Sequence, residues 1–315
     1  MTAPFLSLAA ELKAKTALAP EDILSLRRTC WPDGRIDPAE AEAIFDLNEA
    51  LKSADREWVD FFVEAMSDHV VRQAAPAGYV DDGKARWLIA RIDRDGRVDS
   101  RGELELLIKV LEDATNVPDG LKNYALSQIE AAVLTGTGPT RDGEALDPGT
   151  VNAVEAGLLR RILFAQAGDG PACISRAEAD MLFRIKDLSL GAANAPEWDK
   201  LFVQAVGNHL MAYNSYRPLA CDEAARFEVF VDDNQPHIGR FFSRMAAAGL
   251  SSFSSAAAAS DPPKPDHDAL QAAARAIEPG EAAWLKVRLA DQPELDPLEV
   301  ALLSFIAAES GQTLG

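Results

Sequence analysis

The sequence predicts an all-α protein built from two similar helical halves. Three observations predict it. Apolar residues recur at helical spacing along most of the chain, runs of β-branched residues are scarce, and blocks of the first half return in order in the second. Trp58, Phe62, Ala65, Met66 and His69 fall on one helical face, as do Leu104, Leu107, Ile108 and Leu111. Ala, Leu and Glu are abundant and no stretch alternates with period two, so the single strand candidate is FEVFV at 227–231. Helices are expected near 20–30, 38–52, 55–73, 83–91, 100–114 and 118–134, then near 149–165, 176–189, 196–213, 280–289 and 297–309.

The repeat rests on three blocks. EWVDFFVEAMSDHVV at 57–71 matches EWDKLFVQAVGNHLM at 197–211, pairing Trp58 with Trp198, Phe62 with Phe202 and His69 with His209. Upstream, Leu26-Arg27-Arg28 precedes Asp33-Gly34 as Leu159-Arg160-Arg161 precedes Asp169-Gly170. Downstream, VDDGKARWLIARI at 80–92 resembles IEPGEAAWLKVRL at 277–289, pairing Trp87 with Trp284 and Arg91 with Arg288. The expected organisation is a lead-in over 1–19, read as a short amphipathic helix or a frayed start, then a first helical half over 20–138 and a second over 139–315. The spacing between matched blocks widens in the second half, which places an insert within 212–276. Its stretch 249–268 is rich in Ser, Ala and Pro and reads as a mobile linker. The helix expected over 118–134 has no counterpart at the end of the second half, and parts of the insert are expected to supply the missing cover. The matched tryptophan faces are expected to form a shared interior.

Composition limits function. A chain of 315 residues with 48% hydrophobic content can bury a core, and its net charge of −19 leaves nucleic acid and anionic membrane without the basic cluster they need. Cys30, Cys173 and Cys221 form no CxxC pair, which fits reduced thiols in a cytoplasm rather than a zinc ribbon or a disulfide framework. The first residues lack the basic start and cleavage pattern of a leader, and no stretch approaches the roughly 18 apolar residues that span a bilayer. GxGxxG, GxxxxGK[ST] and GxSxG are all absent.

Four acidic turns open helices: PDGRIDPAEAEAIF at 32–45, RDGRVDSRGELELLI at 94–108, GDGPACISRAEADMLF at 168–183 and ADQPELDPLEVALL at 290–303. Each has an aliphatic residue, then Asp or Ser, then Glu three or four residues on. Asp37, Ser175 and Asp296 stand at N-cap positions, with Glu40, Glu178 and Glu299 at capping-box spacing and Pro38 and Pro297 at N1. Capping accounts for nearly every residue of the pattern. The competing reading is a calcium loop, which needs oxygen ligands at alternate positions, a central Gly and an acid at the twelfth. Asp93, Asp95, Asp99 and Glu103 come nearest, yet Arg91 falls at the first position and Glu103 comes one residue late. The turns with Asp33, Asp37 and Glu40, and with Asp169 and Glu178, are also incomplete. They leave room for a divalent site of another build, for calcium or another divalent cation.

The segments Asp33-Gly34-Arg35-Ile36-Asp37 with Glu40, Asp95-Gly96-Arg97-Val98-Asp99 with Glu103, and Asp169-Gly170 with Ile174, Ser175 and Glu178 resemble the TerB-like tellurite-resistance family. The resemblance covers these turns and the helices they open. It implies an all-helical fold, metal binding at paired acidic turns and a place in stress-response complexes. The turn at 290–303 departs by losing Asp-Gly, and Arg94 stands where the family pattern has a small polar residue.

His69 and His209 are expected to bond backbone carbonyls rather than to meet as metal ligands. In the insert, Ile238, Phe241 and Phe242 oppose Arg240 and Arg244, a basic amphipathic patch that could dock a protein partner or a membrane surface; packing on the second half is the favoured reading. The expected function is a non-enzymatic cytoplasmic interaction or regulatory module, TerB-like and tuned by a divalent cation in a stress response. The alternatives are a metal-dependent enzyme using acidic turns of both halves and a scaffold without ligand.

Overall fold

The computed structural model describes residues 2–30, 35–73, 75–93, 97–98, 100–141, 147–167, 173–211, 221–222, 224, 277, 279–290 and 294–310. Among them run twelve α-helices and no strand. The first six are α1 (Thr2–Leu12), α2 (Pro20–Cys30), α3 (Pro38–Ala50), α4 (Arg56–Val71), α5 (Asp82–Ile92) and α6 (Arg101–Asp113). The second six are α7 (Asp119–Thr135), α8 (Ala153–Leu163), α9 (Arg176–Leu188), α10 (Pro196–Met211), α11 (Pro279–Leu289) and α12 (Pro297–Ser310). Among the described residues no helix is long and apolar enough to cross a membrane. The strand candidate at 227–231, the stretch 249–268, and Ile238, Arg240, Phe241, Phe242 and Arg244 lie outside the described residues.

Capping fixes where the helices begin. Asp37, Ser100, Asn152 and Ser175 each accept a hydrogen bond from the N3 backbone amide, while the N3 glutamates Glu40, Glu103, Glu155 and Glu178 reach back to the cap's own N–H. Asp296 and Glu299 make the same exchange at α12, at 2.9 and 3.0 Å. The cap of α6 is Ser100. Asp55 and Asp81 cap α4 and α5 without a box.

Packing follows the same order in both sets of six. The helix α1 lies on α2 and α3 as α7 lies on α8 and α9, and α4 packs on α6 as α10 packs on α12. Of the two readings of the lead-in, the short amphipathic helix is the one seen, and it joins the core through Phe5, Ala9 and Leu12. The helix α7, for which no counterpart was expected, has packing neighbours equivalent to those of α1. Gly207 allows the α10–α12 contact, since a Cβ there would come within 2.5 Å of the Phe305 ring.

Each set has its own aromatic centre. Phe45 meets Phe62 edge-on at 5.3 Å and Trp87 at 5.5 Å; Phe183 meets Phe202 at 5.2 Å and Trp284 at 5.6 Å. Such pairs contribute about 0.5–1.5 kcal/mol each beyond the area they bury. Trp58 stacks with Phe62, and Trp198 packs on Phe202, at 6.4 and 6.1 Å. Each of these matched contacts stays within its own six helices.

The two sets meet where α6 packs on α7 and α8 and where α5 packs on α7. Arg161 of α8 reaches Glu105 and Glu112 of α6 across this boundary at 2.6 and 2.8 Å, and within the second set Arg184 of α9 reaches Glu130 of α7 at 2.9 Å. The connection between α7 and α8, rich in Gly and Pro, is fastened by a buried ion pair. Arg141 meets both oxygens of Glu155, at 2.8 and 3.1 Å, and donates to the Thr150 carbonyl. Thr140 donates to the same carboxylate, which spares Glu155 the cost of an unpaired buried charge.

Candidate functional site

The acidic turns hold the chemistry the sequence singled out, and in three of them the chain turns inward at the aliphatic residue (Ile36, Val98 and Ile174), whereas Leu295 of the fourth is exposed. In the first, Ile36 is buried; its N–H donates to Gln73 Oε1 at 2.7 Å and its carbonyl accepts from His69 Nδ1 at 2.8 Å. A carbonyl only accepts, so Nδ1 carries the ring hydrogen. Asp37 then caps α3, and Glu40, also buried, accepts the Asp37 N–H at 3.0 Å. Asp33 lies outside the described residues.

The third turn is built alike. The Ile174 N–H donates to Asn208 Oδ1 at 3.3 Å, and its carbonyl accepts from His209 Nδ1 at 2.9 Å. Glu178 accepts both the N–H and the hydroxyl of Ser175, at 2.8 and 2.9 Å. Lys122 Nζ of α7 stands 2.6 Å from its other oxygen, an ion pair by distance. Asp169 lies outside the described residues. The two histidines therefore hold carbonyls, as expected. Their rings face Trp87 and Trp284 at 5.8 and 5.0 Å.

In the second turn Val98 is buried, its N–H donates to Gln128 Oε1 at 2.9 Å, and it forms an isolated antiparallel bridge with Asp93. Asp93 ends α5, its N–H bonded to the Ile89 carbonyl at 2.8 Å. Glu103 is buried and accepts the Ser100 N–H at 3.1 Å on one oxygen and Asn48 Nδ2 at 3.2 Å on the other. Asn48 in turn accepts Trp58 Nε1 at 3.0 Å. Asp95 and Asp99 lie outside the described residues.

The fourth turn replaces that neutral chain with charge. Lys186 of α9 holds the place that Asn48 holds in α3, three residues beyond the core phenylalanine (Phe183, Phe45). Its ammonium, 1% exposed, reaches Glu299 Oε1 at 2.8 Å, Asp296, and Asp187 at 2.8 Å. Burial alone would lower its pKa, but the three carboxylates outweigh burial and raise it well above the ordinary lysine value. An ammonium cannot accept a hydrogen bond, and Trp198 Nε1 is buried without a partner where Trp58 Nε1 has one.

Asn48, Lys186 and the Asn152–Glu155 box were missed in the sequence. The box was visible as Val151-Asn152 followed by Glu155, but no Asp-Gly drew attention to it. Among the described residues no three His, Cys, Asp or Glu side chains are gathered as a metal group.

Two grooves flank these turns at equivalent places. The one between α4 and α6, about 1260 Å³, is rimmed by charges including Arg56, Asp60, Arg101 and Lys109. The one between α10 and α12, about 500 Å³, is walled by Leu190, Val203, Leu298 and Phe305, with Lys186 and Asp296 at its edge. No protein-family model, curated protein or solved structure matches this chain.

Proposed function

We propose that the chain is a non-enzymatic interaction module of TerB-like kind, formed by duplication of a six-helix unit and acting in the cytoplasm in a stress response. In this reading the acidic turns are structural staples, and partners are engaged by helix faces and grooves. The observation that carries it is the direction of the N3 glutamates. Glu40, Glu103, Glu178 and Glu299 each spend an oxygen on the amide of their own cap. Glu103, Glu178 and Glu299 spend the other on Asn48, Lys122 and Lys186. A divalent cation at Asp93, Asp95, Asp99 and Glu103 would have to draw Glu103 away from two such partners, each hydrogen bond contributing about 0.5–1.5 kcal/mol net. The matched packing of α1–α6 and α7–α12 supports the duplication.

Calorimetric titration with calcium, magnesium and manganese tests the reading. The expected result is no saturable binding at millimolar metal. Stoichiometric binding that Asp95→Ala and Glu103→Gln abolish would replace it with the cation-tuned or metal-enzyme alternative.

A further inference from the structure

The second acidic turn leaves a buried hydrogen-bond donor unused. Val98 gives its N–H to Gln128 Oε1 at 2.9 Å, which fixes the carboxamide with Nε2 on its other side. Gln128 is only 8% exposed, and its Nε2 has no acceptor among the described residues. The first turn uses the same device and completes it: Gln73 accepts the Ile36 N–H and donates its own Nε2 to Asp68. In the third turn Asn208 takes that role, half-buried, where water can serve its amide. A buried donor left open at the second turn calls for an acceptor from outside the chain.

Gln128 lines a cavity of about 490 Å³ between the second turn, the start of α6 and the last turns of α7. Arg97 and Arg101 line it too, and its described lining holds no carboxylate. In a chain with 50 acidic and 31 basic residues that is unusual, and Arg97 makes no ion pair with a described residue. Arg101 is the first residue of α6, so the positive end of that helix lies at the same place. The negative end of α7 is blunted. Its carbonyls at Ala131, Ala132 and Val133 already accept from the Thr135 hydroxyl and from the Gly136 and Gly149 amides, at 2.9, 3.0 and 2.8 Å. The described charges and the open donor all favour an oxyanion.

The cavity also limits what carries that anion. Two guanidinium groups match the dianion of a phosphate monoester better than the single charge of a carboxylate. The volume exceeds that of a phosphate group and falls in the range of small-molecule sites. The remaining wall at Val98, Ala131, Ala132 and Pro139 is aliphatic, and no described aromatic ring lines it to stack a nucleobase.

We propose that this cavity binds a small, non-aromatic organic phosphate, its phosphate group held by Arg97 and Arg101 with Gln128 Nε2 donating to one oxygen. Arg97 and Arg101 belong to the first six-helix unit and Gln128 to the second, so the ligand bridges the two. The proposal does not rest on the reading of the turns, because it needs no divalent cation and is tested in metal-free buffer.

Isothermal titration calorimetry of the full chain at low salt, with inorganic phosphate and with glycerol 3-phosphate, tests the proposal. Saturable one-to-one binding is expected, tighter for glycerol 3-phosphate. Arg97→Gln should weaken it by at least about tenfold. Gln128→Glu keeps an oxygen for the Val98 N–H but replaces the donor with a carboxylate oxygen; it should abolish binding, with the fold checked by circular dichroism. Arg56→Gln, in the α4–α6 groove, should leave the affinity unchanged. Absence of saturable heat for both ligands up to roughly 10 mM overturns the proposal. So does binding that survives both Arg97→Gln and Gln128→Glu, or that Arg56→Gln weakens as much as Arg97→Gln does. Inorganic phosphate bound as tightly as glycerol 3-phosphate overturns the assignment to an organic phosphate.

Discussion

Replacing Lys186 tests whether the acidic turn at α12 is held by charge or merely tolerates it. The ammonium is 2.8 Å from Glu299 Oε1 and also contacts Asp296, with both carboxylates buried. At that separation, an effective dielectric near 20 gives a gross attraction of roughly 6 kcal/mol, most of it offset by desolvation of the charges. Removing the cation strands the carboxylates, so Lys186→Ala should destabilise the protein by about 3–5 kcal/mol. The first six helices show how the site works without charge: Asn48 and Ser100 stand where Lys186 and Asp296 do, and Asn48 serves both Glu103 and Trp58. The double change Lys186→Asn with Asp296→Ser should therefore recover most of the loss, ending within about 1–2 kcal/mol of the unaltered protein. Urea unfolding followed by circular dichroism and by tryptophan fluorescence measures both, read where the two probes coincide. A cost below about 1 kcal/mol for Lys186→Ala would refute the buried-pair argument. A double variant as weak as the single one would refute the equivalence of the two sites.

Two further predictions follow from the same contacts. Trp58→Phe should cost about 1–3 kcal/mol more than Trp198→Phe, because only Trp58 Nε1 has an acceptor whose loss strands Asn48; equal costs in denaturant melts would show that Trp198 Nε1 is bonded after all. Burial would raise the Asp180 carboxyl, but hydrogen bonds from Arg288 and Trp284 outweigh it and hold its pKa below the ordinary value. The stabilisation is then present above the unfolded value near pH 3.9 and is lost as pH falls toward the folded one. The stability gap between the unaltered chain and Asp180→Asn should shrink below about pH 4, and a gap constant across pH would remove the charge from the explanation.

Helix placement was legible because it depends on local signals. Pro38 and Pro297 at N1, and Asp or Ser followed by Glu, set the starts of α3, α9 and α12 to the residue. The matched histidines were legible as carbonyl holders for the same reason, each standing one helix away from its turn. What the sequence hid depends on distant partners. Lysine is ordinarily exposed, and nothing near Lys186 announces the acids about 110 residues on that bury it. The stretch holding α1 read as either a short amphipathic helix or a frayed lead-in because its short apolar face does not say what covers it. The helix α7 lacked a visible counterpart because TAPFLSLAAEL and DGLKNYALSQIEAAVLT share packing neighbours rather than residues. The candidate site was legible as a set of turns. Their geometry was not, because capping and cation binding require the same oxygens and differ only in where those oxygens point.

That difference in direction constrains how the protein could change its function. Each described turn joins several helices through one buried residue: Ile36 ties α3 to the end of α4, Glu103 ties α6 to α3, and Glu178 ties α9 to α7. A substitution at any of these glutamates leaves a buried amide or cation without its acceptor, which costs stability before it alters binding. Surfaces carry no such penalty. The charged rim of the α4–α6 groove and the apolar wall of the α10–α12 groove occupy equivalent places with unlike chemistry. One backbone design thus presents two different surfaces over the same kind of stapled interior. If the two six-helix units share an origin, they have diverged in what they show to partners and also inside, where Asn48 and Ser100 stand against Lys186 and Asp296 and a neutral link became a charged one.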